Sequence, residues 1–249
     1  MSWPARLPLW LALTRLGEAQ ILLPVMLAVA VWLAWRLGAR RAAGAWVAST
    51  ALAAGLTTAS KLAFLGHGIG WPALDFTGFS GHAMFAAAVL PPLLQSVAGA
   101  VPARQGAAHD GRPGWDGWAW AAGYALALLV AVSRVAVSAH SWSEVIGGFA
   151  LGAIASAVAL RLGRPWPALG RVRLLAPLLL AWALLGVAGA PPSPTHGWVT
   201  RLALAESGRA QPYQRWQMHQ AYQQALAVRQ RAAGPAPGPA SAPPSLEAR

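Results

Sequence analysis

Long apolar runs separated by short polar segments dominate the pattern of this chain. A helix that crosses the hydrocarbon core of a membrane needs about 20 largely apolar residues. Runs of about that length occur at six places: 21–37, 43–65, 82–101, 118–137, 145–162 and 174–190. The pattern therefore predicts an all-α integral membrane protein, a six-helix bundle within residues 1–190. Gly148 and Gly152, four residues apart in the fifth run, predict close packing against another helix.

The chain changes character after residue 190. Proline-rich segments at 191–194 and 235–244 flank a polar stretch that contains Tyr213 and Trp216. We expect residues 191–249 to form a separate tail, whose middle is a short helix on the membrane surface and whose end is disordered. His196 and His219 lie in this tail, and we assign them no function at this point.

Composition agrees with a membrane protein and limits its chemistry. Of 249 residues, 56% are hydrophobic and 10% are charged, with a mean hydropathy of +0.45. A net charge of +12 is compatible with nucleic-acid binding, but basic residues between apolar runs are typical of a bacterial inner-membrane protein, so we expect no nucleic-acid partner. The absence of cysteine excludes disulfides, thiolate metal sites and a cysteine nucleophile.

The arginine distribution predicts the orientation of the bundle. Loops 66–81 and 138–144 contain no arginine. Because arginine is enriched in cytoplasmic loops, these two loops are expected to face the periplasm or exterior. The other loops contain nine arginines: Arg36, Arg40, Arg41, Arg104, Arg112, Arg161, Arg164, Arg171 and Arg173.

Polar residues gather at the arginine-poor ends of four predicted spans. Ionisable groups beside the hydrocarbon core are costly, so such a cluster indicates a functional site. The cluster consists of Lys61, which is the only lysine in the chain, Ser80, Gly81, His82, Ser133, Arg134, His140 and Glu144.

Part of this cluster is suited to bind a phosphate group. A helix that begins at Ser80 or Gly81 directs free N–H groups toward an anion, and Gly81 permits close approach of the backbone. Lys61 and Arg134 add positive charge and hydrogen-bond donors at the same end of the bundle.

The other part is suited to acid–base and nucleophilic chemistry. His140 and Glu144 are four residues apart, so on a helix the carboxylate can fix the imidazole tautomer and stabilise its cation. An imidazole oriented in this way can attack phosphorus, and His82 can protonate the leaving oxygen. This chemistry needs no metal or other cofactor.

The motif Ser133-Arg134-x5-His140-x3-Glu144, preceded by Ser80-Gly81-His82 and Lys61, resembles the type 2 phosphatidic acid phosphatase family, which is related to the vanadium haloperoxidases. The signatures of that family are Lys-x6-Arg-Pro, Pro-Ser-Gly-His and Ser-Arg-x5-His-x3-Asp. The resemblance implies a six-helix bundle with its active site at the extracytoplasmic surface.

The resemblance also implies a role for each matching residue. His140 is the nucleophile that forms a phosphohistidine, Glu144 orients it, and His82 is the general acid. The phosphoryl oxygens are held by Lys61, Arg134, Ser80 and the Gly81 amide. The implied activity is metal-independent hydrolysis of a lipid phosphate or diphosphate, such as phosphatidate, phosphatidylglycerol phosphate or an isoprenyl diphosphate.

The chain departs from the family pattern in three ways. Glu144 replaces aspartate, and its extra methylene is compatible with the same contact. Phe79 replaces proline, which predicts a looser entry to the third span. Gly68 and Ile69 stand where the family has Arg-Pro, and we hypothesise that His67 or a residue outside the motif supplies the missing donor.

Structural explanations exist for each residue taken singly. Lys61 and Arg134 fit the pattern of side chains that extend to the membrane surface, and Glu144 fits a capping box with Ser141. His82 fits an interfacial position. Glu18 and Asp75 would lie on the same face as the cluster and could touch it, but helix-capping or solvated positions are expected for both. A non-catalytic lipid-phosphate binder or transporter, and a lipid phosphotransferase, are the alternative functions. The expected partner is a membrane lipid phosphate, and the sequence leaves the oligomeric state open.

Overall fold

The computed structural model describes residues 7–98, 118–167, 181–182 and 194–233. Regular secondary structure in these ranges is helical, and a short 3-10 turn at Pro72–Leu74 lies between α3 and α4. The helices are α1 (Leu7–Arg15), α2 (Ala19–Trp35), α3 (Arg40–His67), α4 (Gly81–Ala98), α5 (Ala119–Ala136), α6 (Trp142–Leu162), α7 (Thr195–Ser207) and α8 (Arg215–Ala233).

Five segments within the described residues are long and apolar enough to cross a membrane. They are Leu7–Trp35, Arg40–His67, Gly81–Ala98, Ala119–Ala136 and Trp142–Leu162. The expected all-α membrane bundle is thus confirmed. The predicted sixth span, 174–190, lies outside the described residues except for positions 181 and 182, and so does the proline-rich segment 235–244.

The first span differs from the sequence prediction, because it begins at Leu7 instead of residue 21. It consists of α1 and α2, which are separated by a turn at residues 16–18. The helix α1 packs against α5. The apolar run from 21 onward shows where α2 lies, but Arg15 and Glu18 interrupt the pattern before it and obscure α1.

Helix α4 lies at the centre of the bundle, where it packs against α2, α3, α5 and α6. It contains two prolines, Pro91 and Pro92. Proline has no N–H, so Pro92 leaves the carbonyl of Ala88 without its helical donor. The indole of Trp46 in α3 donates a hydrogen bond to that carbonyl at 3.0 Å. The carbonyl that Pro92 leaves without a donor therefore forms a hydrogen bond between α3 and α4.

Glycines in α6 allow α6 to approach α4 at backbone distance. A Cβ atom at Gly148 would lie 2.5 Å from the carbonyl oxygen of Ser80, and one at Gly152 would collide with the carbonyl of Met84. The close packing predicted from the spacing of these two glycines is confirmed. It brings the beginning of α6 beside the beginning of α4, where the N–H of Ser80 donates to the carbonyl of Glu144 at 3.0 Å.

Replacement of Gly152 by alanine tests this packing away from the predicted site. The added methyl group overlaps backbone atoms of α4, so we expect a loss of about 1–3 kcal/mol in the free energy of unfolding. Gly55→Ala in α3 is the matched control, because no atom lies within 4 Å of the added Cβ. Thermal unfolding in detergent micelles measures both variants. Equal midpoints for the two would contradict the packing described here.

Candidate active site

A cavity of about 590 Å³ lies at the end of the bundle where α3 and α5 end and α4 and α6 begin. Five of the seven predicted site residues line it: Lys61, Gly81, His82, Arg134 and His140. The other two, Ser80 and Glu144, are fully buried directly beside it. The structure therefore brings all seven together.

His140 and Glu144 form a hydrogen-bonded pair. The Nδ1 atom of His140 lies 2.7 Å from Oε2 of Glu144. The same carboxylate oxygen accepts from the N–H of Ser141 at 3.2 Å, and the Ser141 hydroxyl accepts from the N–H of Glu144 at 3.4 Å, which completes a capping box. The capping role and the histidine contact thus coexist. Because Nδ1 is engaged with the carboxylate, Nε2 is the nitrogen of His140 available for chemistry.

Burial also acts on the imidazole of His140, which lies between the spans. Burial lowers its pKa, the hydrogen bond and charge of Glu144 oppose that shift, and the charges of Lys61 and Arg134 reinforce it. The pKa of His140 is lowered overall. The neutral imidazole is therefore favoured at neutral pH, as a nucleophile requires.

The second oxygen of Glu144 is held by the loop before α4. Oε1 accepts from the backbone N–H of Thr77 at 2.8 Å and from the Thr77 hydroxyl. The Glu144 side chain is 0% exposed. A buried carboxylate is stable only when its lone pairs have donors, and this one has donors on both oxygens.

Lys61 reaches the beginning of α4 because the loop before that helix packs directly on α3. Gly78 has a φ of 139°, and a Cβ atom there would lie 3.1 Å from Cγ of Lys61. A glycine is therefore required at position 78 on both counts. The Lys61 Nζ atom lies 3.9 Å from the point where a Cβ on Gly81 would sit. The ammonium group is thus placed beside the free N–H groups at the start of α4.

Arg134 is fixed from the opposite side by α1. Its NH1 group donates to Oγ1 of Thr14 at 3.1 Å, and Ser133 Oγ lies 2.9 Å from the same atom. The Nε of Arg134 and the hydroxyl of Ser80 are buried and have no hydrogen-bond partner in the described part of the chain. Two buried donors beside the cavity thus remain available for a bound anion.

The loop residue Phe79 does not loosen the entry to α4, so the prediction from its replacement of proline is wrong. Its N–H donates to the hydroxyl of Ser60 in α3 at 3.1 Å, which a proline could not do. Its ring also packs edge-on against Phe76, with centroids 5.2 Å apart. Two contacts therefore fix the entry to α4.

Helix α3 ends at Gly68, the position where the family pattern has the arginine of Arg-Pro. Gly68 adopts a left-handed conformation with a φ of 70°, and a Cβ there would lie 3.0 Å from the ring of Tyr213. His67 is exposed and does not belong to the cavity lining, so the structure does not support it as the substitute donor.

Several further residues lie near the site, and the sequence assigned none of them a role there. Asp75 and Arg215 form an ion pair at 2.7 Å, and Arg215 also contacts Glu144. His196 and Glu18 line the cavity, and Glu18 is only 6% exposed. Glu18 and Asp75 are therefore not simply capping or solvated residues, because Glu18 lines the cavity and Asp75 pairs with Arg215. No local motif marks these residues, because their partners are distant in the sequence.

Comparison with known proteins identifies the family. The model of the PAP2 superfamily matches residues 67–168, a range that includes the second and third signatures but begins after Lys61. A relative described as an uncharacterized 22.5 kDa protein in the cps region of Klebsiella pneumoniae is 32% identical over 216 residues, which is 84% of this chain and 97% of the relative. No solved structure matches the chain significantly.

These matches and the site geometry agree, and the chain belongs to the PAP2 superfamily. The resemblance to type 2 phosphatidic acid phosphatases is thereby confirmed. Membership supports an activity of the phosphatase type on phosphoric esters.

Replacement of Thr14 by valine tests the fixation of Arg134. The guanidinium loses its partner on α1, so we expect the affinity for inorganic phosphate to fall about tenfold. Calorimetric titration of the detergent-solubilised protein measures this. Thr50→Val is the control, because the hydroxyl of Thr50 is buried without a hydrogen bond in the described residues. An unchanged affinity in Thr14→Val, or the same loss in both variants, would contradict the assignment.

Proposed function

We propose that this protein is a lipid phosphatase that hydrolyses a lipid phosphate or diphosphate through a phosphohistidine on His140, without a metal ion. One observation carries the proposal: a histidine paired with a buried carboxylate at 2.7 Å shares a cavity with a second histidine and two cations. A binding protein needs the cations but has no need of the two imidazoles.

In the first step, Nε2 of His140 attacks phosphorus and the bond to the leaving oxygen breaks. His82, protonated, transfers its proton to that oxygen, so the alcohol or phosphate leaves in neutralised form. Glu144 stabilises the positive charge that develops on His140 through the bond to Nδ1. Lys61, Arg134, Ser80 and the Gly81 amide hold the phosphoryl oxygens, on which the transition-state charge is spread.

In the second step, water replaces the histidine. His82, now neutral, accepts a proton from the water as its oxygen attacks phosphorus and the P–N bond breaks. Inorganic phosphate leaves, and both histidines return to their starting protonation states. The same residue thus acts as acid and then as base.

The surroundings of the cavity favour a lipid substrate. The spanning helices carry outward-facing apolar side chains, including Leu52 and Ile154, which are 67% and 62% exposed in the isolated chain. Ile146, only two residues beyond Glu144, is also exposed. The phosphate site therefore lies at the end of an apolar surface on which acyl or prenyl chains can rest.

We also propose that the cavity faces the periplasm or exterior of a bacterial inner membrane. The cavity is formed at the helix ends that adjoin the arginine-free loops 66–81 and 138–144. Arg36, Arg40 and Arg161 adjoin the opposite ends of the same helices. This distribution is the one expected for a cytoplasmic side opposite the site.

Phosphate release by the purified protein tests the function. Lipid monophosphates and diphosphates are offered in mixed micelles with excess chelator, to wild type and to His140→Ala. We expect chelator-resistant release by wild type and a loss of several orders of magnitude in the variant, because the nucleophile is gone. Gly55→Ala serves as a control for handling and folding.

Two results would contradict this proposal. Release that His140→Ala retains would exclude the histidine mechanism. No release from any lipid by a folded protein that still binds phosphate would instead favour a lipid-phosphate binder or transporter.

The ionisation of His140 provides a separate prediction. Since burial outweighs the influence of Glu144, we expect His140 to titrate below the ordinary value of 6.5. It is therefore neutral above that pH and becomes protonated, and inactive as a nucleophile, only as the pH falls further. Histidine-labelled NMR in micelles measures this titration, with His140→Ala to assign the signal. A midpoint at or above 6.5 would refute the prediction.

A further inference from the structure

Arg215, the first residue of α8, reaches the buried carboxylate of the site from outside the spanning bundle. Its NH2 group donates to Oε1 of Glu144 at 2.8 Å and lies 3.3 Å from the Thr77 hydroxyl. Its NH1 group donates to the backbone oxygen of Asp75 at 2.7 Å and pairs with the Asp75 carboxylate at the same distance. One guanidinium thus bridges the loop before α4 and the beginning of α6.

The two carboxylate oxygens of Glu144 contact different basic residues, His140 and Arg215. Oε2 faces His140, whereas Oε1 faces Thr77 and Arg215. Arg215 therefore acts on the carboxylate from the side opposite the imidazole. Any change in the position or charge of Glu144 is transmitted to Nδ1 of His140 across a 2.7 Å contact.

The segment that carries Arg215 is fixed to the bundle by contacts on both sides of it. The N–H of Tyr213 donates to the carbonyl of Leu65 at the end of α3 at 2.9 Å, and the Tyr213 ring covers Gly68. Nε2 of His219 lies 2.7 Å from Oδ1 of Asp75. The guanidinium is therefore held in place before any substrate arrives.

We propose that Arg215 is a positioning residue for the His140–Glu144 pair, supplied by the C-terminal helix α8. It fixes the rotamer of Glu144 and partly neutralises its charge, so that the carboxylate orients His140 while the imidazole remains neutral and nucleophilic. This inference rests on the proposed function for its catalytic consequence, but its effect on His140 is independent of turnover.

The geometry favours positioning over direct binding of phosphate. Both terminal nitrogens of Arg215 already have oxygen partners on the protein, at 2.7 Å and 2.8 Å. Arg134, by contrast, keeps a buried Nε without a partner in the described residues. The terminal N–H groups of Arg215 are therefore bonded to Asp75 and Glu144, whereas the Nε–H group of Arg134 is available to a ligand.

The expected effect on titration follows from the charges around His140. The groups that face it are Lys61 from α3, His82 from α4, Arg134 from α5 and Glu144 from α6. Three of these are cations or become cationic, and only Glu144 favours a protonated His140. Loss of the Arg215 charge leaves Glu144 less neutralised, so the His140 titration moves to higher pH.

The experiment compares Arg215→Gln, Arg215→Lys and Asp75→Asn in the full chain. Arg215→Gln removes the positive charge that contacts the Glu144 carboxylate. Arg215→Lys keeps a positive charge at this position but lacks the forked geometry of the guanidinium. Asp75→Asn weakens the attachment of α8 but leaves the contact with Glu144. Arg229→Gln, an exposed arginine on the same helix, is the matched control.

The first readout is the histidine NMR titration of His140, which needs no substrate. We expect a higher midpoint in Arg215→Gln and the wild-type midpoint in Arg229→Gln, Asp75→Asn and Arg215→Lys. An unchanged midpoint in Arg215→Gln overturns the proposal whether or not the protein hydrolyses any lipid. A shift of the same size in Asp75→Asn also overturns it, because it would assign the effect to attachment of α8.

The second readout is phosphate release from the best lipid substrate. We expect kcat to fall about 10- to 100-fold in Arg215→Gln with little change in KM, and Arg215→Lys to recover part of it. A rise in KM with an unchanged kcat would overturn positioning and assign Arg215 to the ligand. If wild type releases nothing while the His140 titration still moves, the proposed function fails and the positioning of His140 by Arg215 stands.

Discussion

The burial of the Glu144 carboxylate is the constraint on which the rest of the site depends. An ionised carboxylate without water is unfavourable unless its oxygens receive hydrogen bonds from fixed donors. Here the donors come from the start of α6, from the loop before α4 and from α8. Three separate segments must therefore be in place before the charge is stable, and the same requirement places His140 beside the cavity.

The close packing of α4 and α6 makes this arrangement possible. Gly148 lies against the backbone of Ser80, and the N–H of Ser80 donates to the carbonyl of Glu144. A larger side chain at position 148 would separate the two helix starts, and with them the Ser80–Gly81–His82 segment from Glu144. The two glycines thus set the distance between the Ser80–Gly81–His82 segment and the His140–Glu144 pair.

Local sequence patterns located five of the six predicted spans, although the first begins earlier than predicted, and they named seven residues that the structure brings together at one end of the bundle. Each of those residues stands at the end of an apolar run, so the sequence alone places them at the same end of the bundle. Thr14 and Arg215 were missed as site residues, and Asp75 was given a solvated or capping position, because each acts on a partner 71 or more positions away in the chain. Only the folded arrangement of α1 and α8 brings them there; Arg15 and Glu18 separate α1 from the apolar run that follows it, and α8 is a polar helix.

The departure from the family pattern at Gly68 is explained by packing against the C-terminal segment. Gly68 ends α3 in a left-handed turn beneath Tyr213, so a long side chain at that position would meet the ring and a strained backbone. Two residues after Tyr213, Arg215 brings a guanidinium to the same end of the bundle, at Glu144. A chain that covers the end of α3 with its C-terminal segment has no room for the arginine of the first signature. It has instead a guanidinium in contact with the carboxylate, on the side of Glu144 opposite His140.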